Sequence, residues 1–161
     1  MTALLNTLMS RLTEGPSHQT PPADIRILVV DDEDTVLQYA NRVLRAAGYR
    51  PVLASSGAEA LERVEAMGGC DVLLTDLMMP AMTGAELACR MRRSAPDLKV
   101  LYLTGFSDRL FATKPTLWEN EAYLDKPCSI GGLLEAVSLI LYGSCVAPEE
   151  IATTAVPALW L

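Results

Sequence analysis

Carboxylate, hydroxyl and ammonium side chains follow four apolar runs in this sequence of 161 residues. The first run is followed by four consecutive acids at 31–34, and the second is followed by Asp76. The third run is followed by Thr104 and Gly105, and the last is followed by Lys126. Oxygen ligands suit a hard divalent ion, and Mg²⁺ usually takes one or two carboxylates with water and phosphate. A lysine and a hydroxyl suit phosphoryl oxygens, and an ionised carboxylate can itself form an aspartyl-phosphate. The residue types therefore point to magnesium-assisted phosphoryl chemistry.

Short β-branched runs alternate with helical stripes between residues 25 and 142. We predict strands at 25–30, 49–54, 71–75, 98–103 and 122–124. We predict helices at 35–47, 57–67, 84–93 and 130–141, with Ser55 or Ser56 and Thr83 as N-caps. Because parallel crossovers need helices, this alternation predicts a parallel sheet covered on both faces. The carboxyl ends of its strands, and with them the reactive side chains, then meet at one edge.

Each of these residues also has a purely structural interpretation. Acids after a strand often cap the next helix, a Lys-Pro pair often forms a turn, and a threonine at a strand end is often structural. Asp76 has no nearby helix to cap, which makes the structural interpretation harder to sustain. The occurrence of all of them, in order, at four strand ends favours a functional site.

Charge and composition argue against several classes of protein. Half of the residues are hydrophobic and a fifth are charged, as in ordinary globular domains. The net charge of −7 argues against a nucleic-acid binder that neutralises phosphates. No apolar run approaches the roughly 18 residues of a membrane span, and the N-terminus lacks a secretory signal pattern. We therefore expect a cytoplasmic protein that contacts neither nucleic acid nor membrane directly.

The four cysteines do not form a metal-binding pattern. None of Cys70, Cys89, Cys128 and Cys145 belongs to a Cys-x-x-Cys pair, and the single histidine, His18, is far from all of them in sequence. This spacing argues against a zinc site. We expect buried, reduced thiols, the usual state of scattered cysteines in the cytosol.

Four segments resemble the receiver domain of two-component response regulators. They read LVVDDE at 28–33, LTDLMMPAMTG at 74–84, LTG at 103–105 and YLDKP at 123–127. The resemblance covers residues 25–142, and its motifs are specific as a set. It implies a flavodoxin-like (βα)5 fold, a three-layer α/β sandwich with a parallel five-stranded sheet in the order 2-1-3-4-5.

The resemblance implies a role for each matched residue. Asp76 would accept the phosphoryl group from a histidine kinase or a histidine phosphotransfer protein. Asp32 would bind Mg²⁺ directly and Asp31 through water, while the Asp76 carboxylate and the backbone carbonyl of Met78 would complete the protein ligands. The domain would be a phosphoacceptor that catalyses its own phosphorylation and dephosphorylation, and not an enzyme acting on a separate substrate.

Further residues would meet or report the phosphoryl group. Lys126 would contact its oxygens, and Gly105 would offer space and a backbone N–H. Thr104 would turn its hydroxyl inward once Asp76 is phosphorylated. Tyr123 matches the family's switch aromatic and would rotate inward with Thr104; the structural alternative is a packed core aromatic.

Two features depart from the family's pattern. Met78 and Phe106 lie where the family tunes hydrolysis, and both are apolar, which predicts a slowly hydrolysing aspartyl-phosphate. Pro115 removes a helical hydrogen bond, so we expect a short helix that is broken or displaced within 107–120. Because the family commonly uses this surface for output, a distorted helix there would change dimerisation or partner choice.

The remaining segments flank the receiver-like region. Residues 1–24 combine an amphipathic stripe at 1–12 with a polar linker, and the tail at 143–161 ends in apolar side chains. With no room for an attached output domain, we expect a stand-alone receiver that signals to a downstream protein or relays phosphate. The apolar ends either fold back on the domain or pack on a second copy as a homodimer.

Two other functions stay open at this point. Asp32 and Asp34 fit the Asp-x-Asp signature of haloacid-dehalogenase-like phosphatases, as nucleophile and general acid. That family needs a second acidic pair on a later strand to hold Mg²⁺, and after Lys126 such a pair occurs only at 149–150 in the tail. The phosphatase interpretation also gives Asp76 no role. The other alternative is a receiver-like interaction module that takes no phosphate; the complete acid set, Thr104 and Lys126 argue against it.

Overall fold

The computed structural model describes residues 24–105, 117 and 119–143. Its centre is a sheet of five strands: β1 (Ile27–Val30), β2 (Val52–Ala54), β3 (Val72–Thr75), β4 (Lys99–Thr104) and β5 (Glu121–Asp125). Their spatial order is β2-β1-β3-β4-β5, and every neighbouring pair runs parallel. The predicted parallel sheet and its strand order are confirmed.

Within the described residues, four helices cover the two faces of this sheet: α1 (Asp34–Ala46), α2 (Gly57–Ala66), α3 (Gly84–Arg92) and α4 (Ile130–Tyr142). Because side chains alternate along each strand, one face packs on α2 and α3 and the other packs on α1 and α4. Leu87 of α3 is fully buried in the first core, and Leu44 of α1 is fully buried in the second. The result is the predicted three-layer α/β sandwich.

Side-chain caps fix the starts of three helices. Ser56 caps α2 by accepting the backbone N–H of Glu59 at 3.2 Å, which decides between the two serines predicted for this role. Thr83 and Glu86 form a reciprocal capping box at α3. Ser129 caps α4 by accepting a backbone N–H of the first turn. These caps let each helix begin a few residues after the preceding strand ends.

Some strands begin or end at other residues than predicted. β2 begins at Val52 and not at residue 49, because Pro51 has no backbone N–H to donate and Tyr49 packs into the α1–α4 core. β5 is longer than predicted because its pairing with β4 continues as far as Thr104 opposite Asp125. Thr104 is therefore the last residue of a strand and not the first residue after it.

A buried ion pair joins α3 to the start of β5. The Nη1 atom of Arg92 lies 2.6 Å from Oε1 of Glu121, and the two side chains are 9% and 0% exposed. The hydroxyl of Tyr102 on β4 donates to the same carboxylate oxygen at 3.3 Å. Arg92 also donates to the carbonyl of Leu98 at 3.3 Å. Additional hydrogen bonds of this kind are what a charge pair needs when it is removed from water.

The expectation of uniformly buried cysteines is wrong for Cys89. Cys70, Cys89 and Cys128 are all free thiols, but only Cys70 is fully buried, Cys128 is half-buried and Cys89 is exposed. Cys89 is exposed because α3 turns Leu87, Ala88 and Met91 toward the core, which leaves position 89 on the outer side. Burial raises the pKa of the Cys70 thiol to about 12.

Several predictions lie outside the described residues. They concern the stripe at 1–12, the linker, the stretch around Pro115, Phe106 and the tail beyond Gly143. Among the helices that the structure does describe, none has the length and apolarity that crossing a bilayer requires.

Candidate functional site

Backbone hydrogen bonds to neighbouring strands fix three site residues that lie one position beyond the ends of their own strands. The backbone N–H of Asp31 donates to the last carbonyl of β2 at 3.2 Å, and that of Asp76 donates to the last carbonyl of β1 at 2.9 Å. The N–H of Lys126 donates to the last carbonyl of β4 at 3.1 Å. Each residue has therefore left its own strand but keeps a hydrogen bond to the neighbouring one. Their side chains start from a rigid edge of the sheet.

Lys126 lies among carboxylates at this edge. Its Nζ atom is 2.5 Å from Oδ2 of Asp31 and 3.6 Å from Oδ2 of Asp76. A third acid, Glu33, has its Oε1 atom 3.6 Å from the same nitrogen, but its side chain is 62% exposed. Asp31 and Asp76 are buried, with exposures of 1% and 7%. The close pairs are therefore partly shielded from solvent, where charge interactions are stronger than at the surface.

Three carboxylates form a cluster that fits a divalent cation. One oxygen from each of Asp31, Asp32 and Asp76 can be chosen so that all lie within 4.8 Å of one another. Asp32 is exposed, whereas the other two are buried, so the cluster opens to solvent on one side. It offers oxygen alone, without histidine or cysteine, which suits Mg²⁺ or Ca²⁺ better than zinc.

The charges of the site are not balanced. Burial raises the pKa of Asp31, although hydrogen bonds from Lys126 and from the Glu33 N–H oppose that change. Burial also raises the pKa of Asp76; the Lys126 charge acts to lower it and the Asp31 charge acts to raise it. Burial acts to lower the pKa of Lys126, but the hydrogen bond and charges of its neighbouring carboxylates leave it raised. The single positive charge of Lys126 thus faces several negative charges. A bound cation would add positive charge and stabilise the ionised forms of the carboxylates.

The other predicted residues surround this cluster at different depths. Thr104 is fully buried at the end of β4, and Gly105 next to it is exposed. The N–H of Met78 donates to Oδ1 of Asp76 at 3.4 Å, while the Met78 side chain is 40% exposed. Tyr123 lies opposite Tyr102 in the β4–β5 register and is 40% exposed. The alternative of a packed core aromatic at Tyr123 is therefore wrong.

Gly84 has a positional role that its place in the sequence alone does not predict. It is the first residue of α3, and its N–H donates to the carbonyl of Leu77 at 2.9 Å. A Cβ atom at Gly84 would lie 2.2 Å from the carbonyl oxygen of Asp76 and 2.9 Å from the Thr75 side chain. Only glycine lets the start of α3 approach the Asp76 backbone this closely. The sequence signal that could have indicated this close approach is a glycine directly after the threonine that caps the helix.

Comparisons with protein families and with known proteins agree on a single family. Residues 27–138 match the response regulator receiver domain family. The sensor kinase CckA of Brucella abortus is 35% identical over 116 residues, which is 71% of this chain and 12% of that protein. The response regulator receiver protein CpdR of the same organism is 32% identical over 116 residues, which is 72% of this chain and 96% of that protein. The chain therefore spans only a small part of the length of CckA but nearly the whole length of CpdR.

Solved structures show the same likeness. The receiver domain from the hybrid histidine kinase CckA is 34% identical and superposes with a TM-score of 0.61, covering 72% of this chain and 98% of that one. The response regulator TrrA from Thermotoga maritima, solved in complex with Mg²⁺-BeF, is 32% identical with a TM-score of 0.63 and the same coverage. These matches favour the receiver interpretation over the phosphatase alternative based on Asp32 and Asp34.

Proposed function

This chain belongs to the response regulator receiver domain family, which serves two-component signalling, and we propose from that premise that Asp76 is its phosphoacceptor. One observation carries the proposal: the Asp76 carboxylate belongs to the three-carboxylate cluster and lies 3.6 Å from Nζ of Lys126. A nucleophilic carboxylate beside a cation site and an ammonium has what phosphoryl transfer needs, because the charge of the transferred group is met from two sides.

The cluster fits Mg²⁺ as the proposed cofactor. Asp32 and Asp76 would bind the ion directly, and the backbone carbonyl of Met78 would complete the protein ligands. Asp31 suits a water-mediated role, because one of its oxygens already accepts from Lys126 at 2.5 Å and the other from a backbone N–H at 2.9 Å. When bound, the ion neutralises charge on the phosphoryl oxygens.

The proposed donor is the phosphohistidine of a sensor kinase or of a histidine phosphotransfer protein. An ionised oxygen of Asp76 forms the new O–P bond while the P–N bond to the donor breaks, and the leaving imidazole takes up a proton. Lys126 is near enough to pair with the phosphoryl oxygens after a small movement of its side chain. The Gly105 N–H would add a further donor. With a small phosphodonor, the same residues would catalyse phosphorylation of the domain by itself.

We assign the switch to Thr104 and Tyr123. Thr104 ends β4, and its carbonyl accepts the N–H of Lys126, which places the residue at the same edge of the sheet as Asp76. In this proposal its hydroxyl turns toward the phosphoryl group once Asp76 is phosphorylated. Tyr123 would move inward with it from the exposed position on β5. Met78 presents an apolar side chain near Asp76, which supports slow hydrolysis of the aspartyl-phosphate. Loss of the phosphoryl group within seconds would contradict that part.

We also propose a cellular setting. CpdR, matched over 96% of its length, is a response regulator receiver protein, which supports a stand-alone receiver at 25–142 that signals to a downstream protein. We place this action in the cytoplasm, without direct contact with nucleic acid or membrane. The apolar segments at 1–12 and 159–161 would hold a homodimer. A monomeric mass in light scattering at high protein concentration would contradict the dimer.

The phosphoacceptor proposal is tested by intact mass after incubation with Mg²⁺ and acetyl phosphate. We expect the wild type to gain one phosphoryl group and Asp76→Ala to gain none. Asp32→Ala should label poorly, because it removes a proposed Mg²⁺ ligand but keeps the acceptor. Omission of Mg²⁺ should likewise suppress labelling of the wild type.

Other outcomes of this experiment would overturn the proposal in different ways. Labelling that survives Asp76→Ala but disappears in Asp32→Ala would identify the phosphatase chemistry instead. A wild type that labels neither from acetyl phosphate nor from a phosphorylated histidine phosphotransfer protein would be a phosphate-independent interaction module.

A further inference from the structure

The hydroxyl of Tyr39 bridges two parts of the chain that are distant in sequence. Tyr39 lies on α1, and its hydroxyl donates to the carbonyl oxygen of Cys128 at 2.8 Å, across 89 residues. Cys128 lies in the connection between β5 and α4, two residues after Lys126. The helix α1 directly follows the acids of the β1–α1 connection. One hydrogen bond therefore links the acid-bearing and the lysine-bearing sides of the site.

The Tyr39 hydroxyl acts on the β5–α4 connection together with hydrogen bonds at both of its ends. The N–H of Lys126 is fixed to the end of β4 at 3.1 Å. At the other end, Ser129 accepts the N–H of Gly132 at 3.0 Å and caps α4. Tyr39 holds the residue between these two points, and the Tyr39 and Cys128 side chains pack against the α1–α4 core. Burial raises the pKa of Tyr39 further above neutrality, so its hydroxyl stays a donor.

We propose that Tyr39 is a positioning residue, whose hydroxyl holds the β5–α4 connection so that the Lys126 ammonium lies between Asp31 and Asp76. The inference rests on the proposed function, in which Lys126 pairs with the phosphoryl oxygens. Without this hydrogen bond, the connection gains freedom and the ammonium is less often in place when transfer occurs. The three carboxylates lie on other connections, so we expect the loss of this hydrogen bond to affect cation binding less than phosphoryl transfer.

The test begins with Tyr39→Phe, which removes the hydroxyl and keeps the ring. At saturating Mg²⁺, we expect the rate of Asp76 phosphorylation by acetyl phosphate to fall about three- to tenfold. The Mg²⁺ affinity, measured by calorimetry, should change less than about twofold. Tyr49→Phe is the matched control, because Tyr49 is buried in the same core but precedes β2, at the opposite edge of the sheet. Its phosphorylation rate should equal that of the wild type.

A second measurement reads the position of Lys126 without any phosphate. The chain has three lysines, Lys99, Lys114 and Lys126, so amine acylation can be followed at each site by peptide mass. Tyr39→Phe should raise the acylation rate of Lys126 relative to Lys99 about threefold, because the ammonium leaves Asp31 more often. Tyr49→Phe should leave this ratio unchanged. In a Lys126→Ala background, Tyr39→Phe should cause no further loss of phosphorylation.

The outcomes separate this inference from the proposed function. An unchanged acylation ratio in Tyr39→Phe, or an unchanged phosphorylation rate in a protein that does take phosphate, would overturn the positioning role. A further loss of the same size in the Lys126→Ala background would overturn it as well, since Tyr39 would then act elsewhere. A wild type that takes no phosphate, but whose Lys126 acylation responds to Tyr39→Phe, would overturn the proposed function and support the positioning role.

Discussion

Replacing Gly84 by alanine tests how closely α3 must approach the phosphoacceptor. The added Cβ would lie 2.2 Å from the Asp76 carbonyl oxygen. This distance is much shorter than 3.0 Å, below which Cβ atoms in proteins essentially never contact another heavy atom. The obstructing atom is backbone and cannot rotate away, so either the helix start or the Asp76 peptide must shift. Overpacking of this kind costs about 1–3 kcal/mol. We expect the upper half of that range, about 2–3 kcal/mol of lost unfolding free energy.

Urea denaturation of Gly84→Ala and a matched control measures this cost. Gly131 in the first turn of α4 is the control, because a Cβ there would meet nothing within 4 Å. Alanine is favoured over glycine in helices by about 0.5–1 kcal/mol, so Gly131→Ala should be as stable as the wild type or more so. The same substitution in two helices should thus have opposite signs.

The effect on function should follow from the displaced peptide. A movement near 1 Å at a reacting group can lower a rate by about two orders of magnitude, so we expect phosphorylation of Gly84→Ala by acetyl phosphate to be at least about tenfold slower. A Gly84→Ala protein as stable as the wild type and equally fast in phosphorylation would refute the steric argument.

Other substitutions probe the charges and the backbone of the domain. Asp76→Asn should raise the unfolding free energy at pH 7 without divalent ions, by about 0.5–2 kcal/mol. The raised pKa of Asp76, caused first by burial and also by Asp31, means that its ionised form destabilises the fold above that pKa, so the advantage should shrink as the pH falls to 4. Glu59→Ala should lower stability at pH 7 by about 0.5–1 kcal/mol, a small value because solvent screens this side chain. Glu59 accepts from the Ser55 N–H and hydroxyl, which helps to lower its pKa to about 2, so urea denaturation should show this contribution fading from pH 4.5 downward. Ala81→Gly should raise stability by about 0.5–1 kcal/mol in the same assay, because Ala81 has a left-handed φ of 65° that glycine adopts freely.

Much of the fold could be predicted because local patterns and the sheet agree. The apolar run at 27–30 is buried at every position, as expected for a central parallel strand. Thr83 starts a helix by the local chemistry that the sequence displays. Strand ends were less predictable, because they depend on the partner strand: β5 extends to Asp125 only because β4 extends to Thr104. The strand order came from the family resemblance, since local periodicity carries no information about it.

The site could be predicted only as far as strand ends determine it. Asp31, Asp76 and Lys126 meet because each is one residue beyond a strand of the same parallel sheet. The contact of Tyr39 with Cys128 joins residues 89 apart in sequence, and no local pattern signals it. The tight approach at Gly84 was visible in the sequence as a glycine, but the atom that it must avoid is known only from the tertiary structure.

The buried pair of Arg92 and Glu121 has a consequence for how this sequence can change over generations. Losing either partner alone breaks this buried ion pair, and breaking a buried pair destabilises proteins by about 3–5 kcal/mol, whereas exchanging both residues for apolar ones can be neutral. Such a loss is a large part of the total stability of a typical domain. Descendants of this chain should therefore keep both residues or replace both, and single replacements should be rare among them.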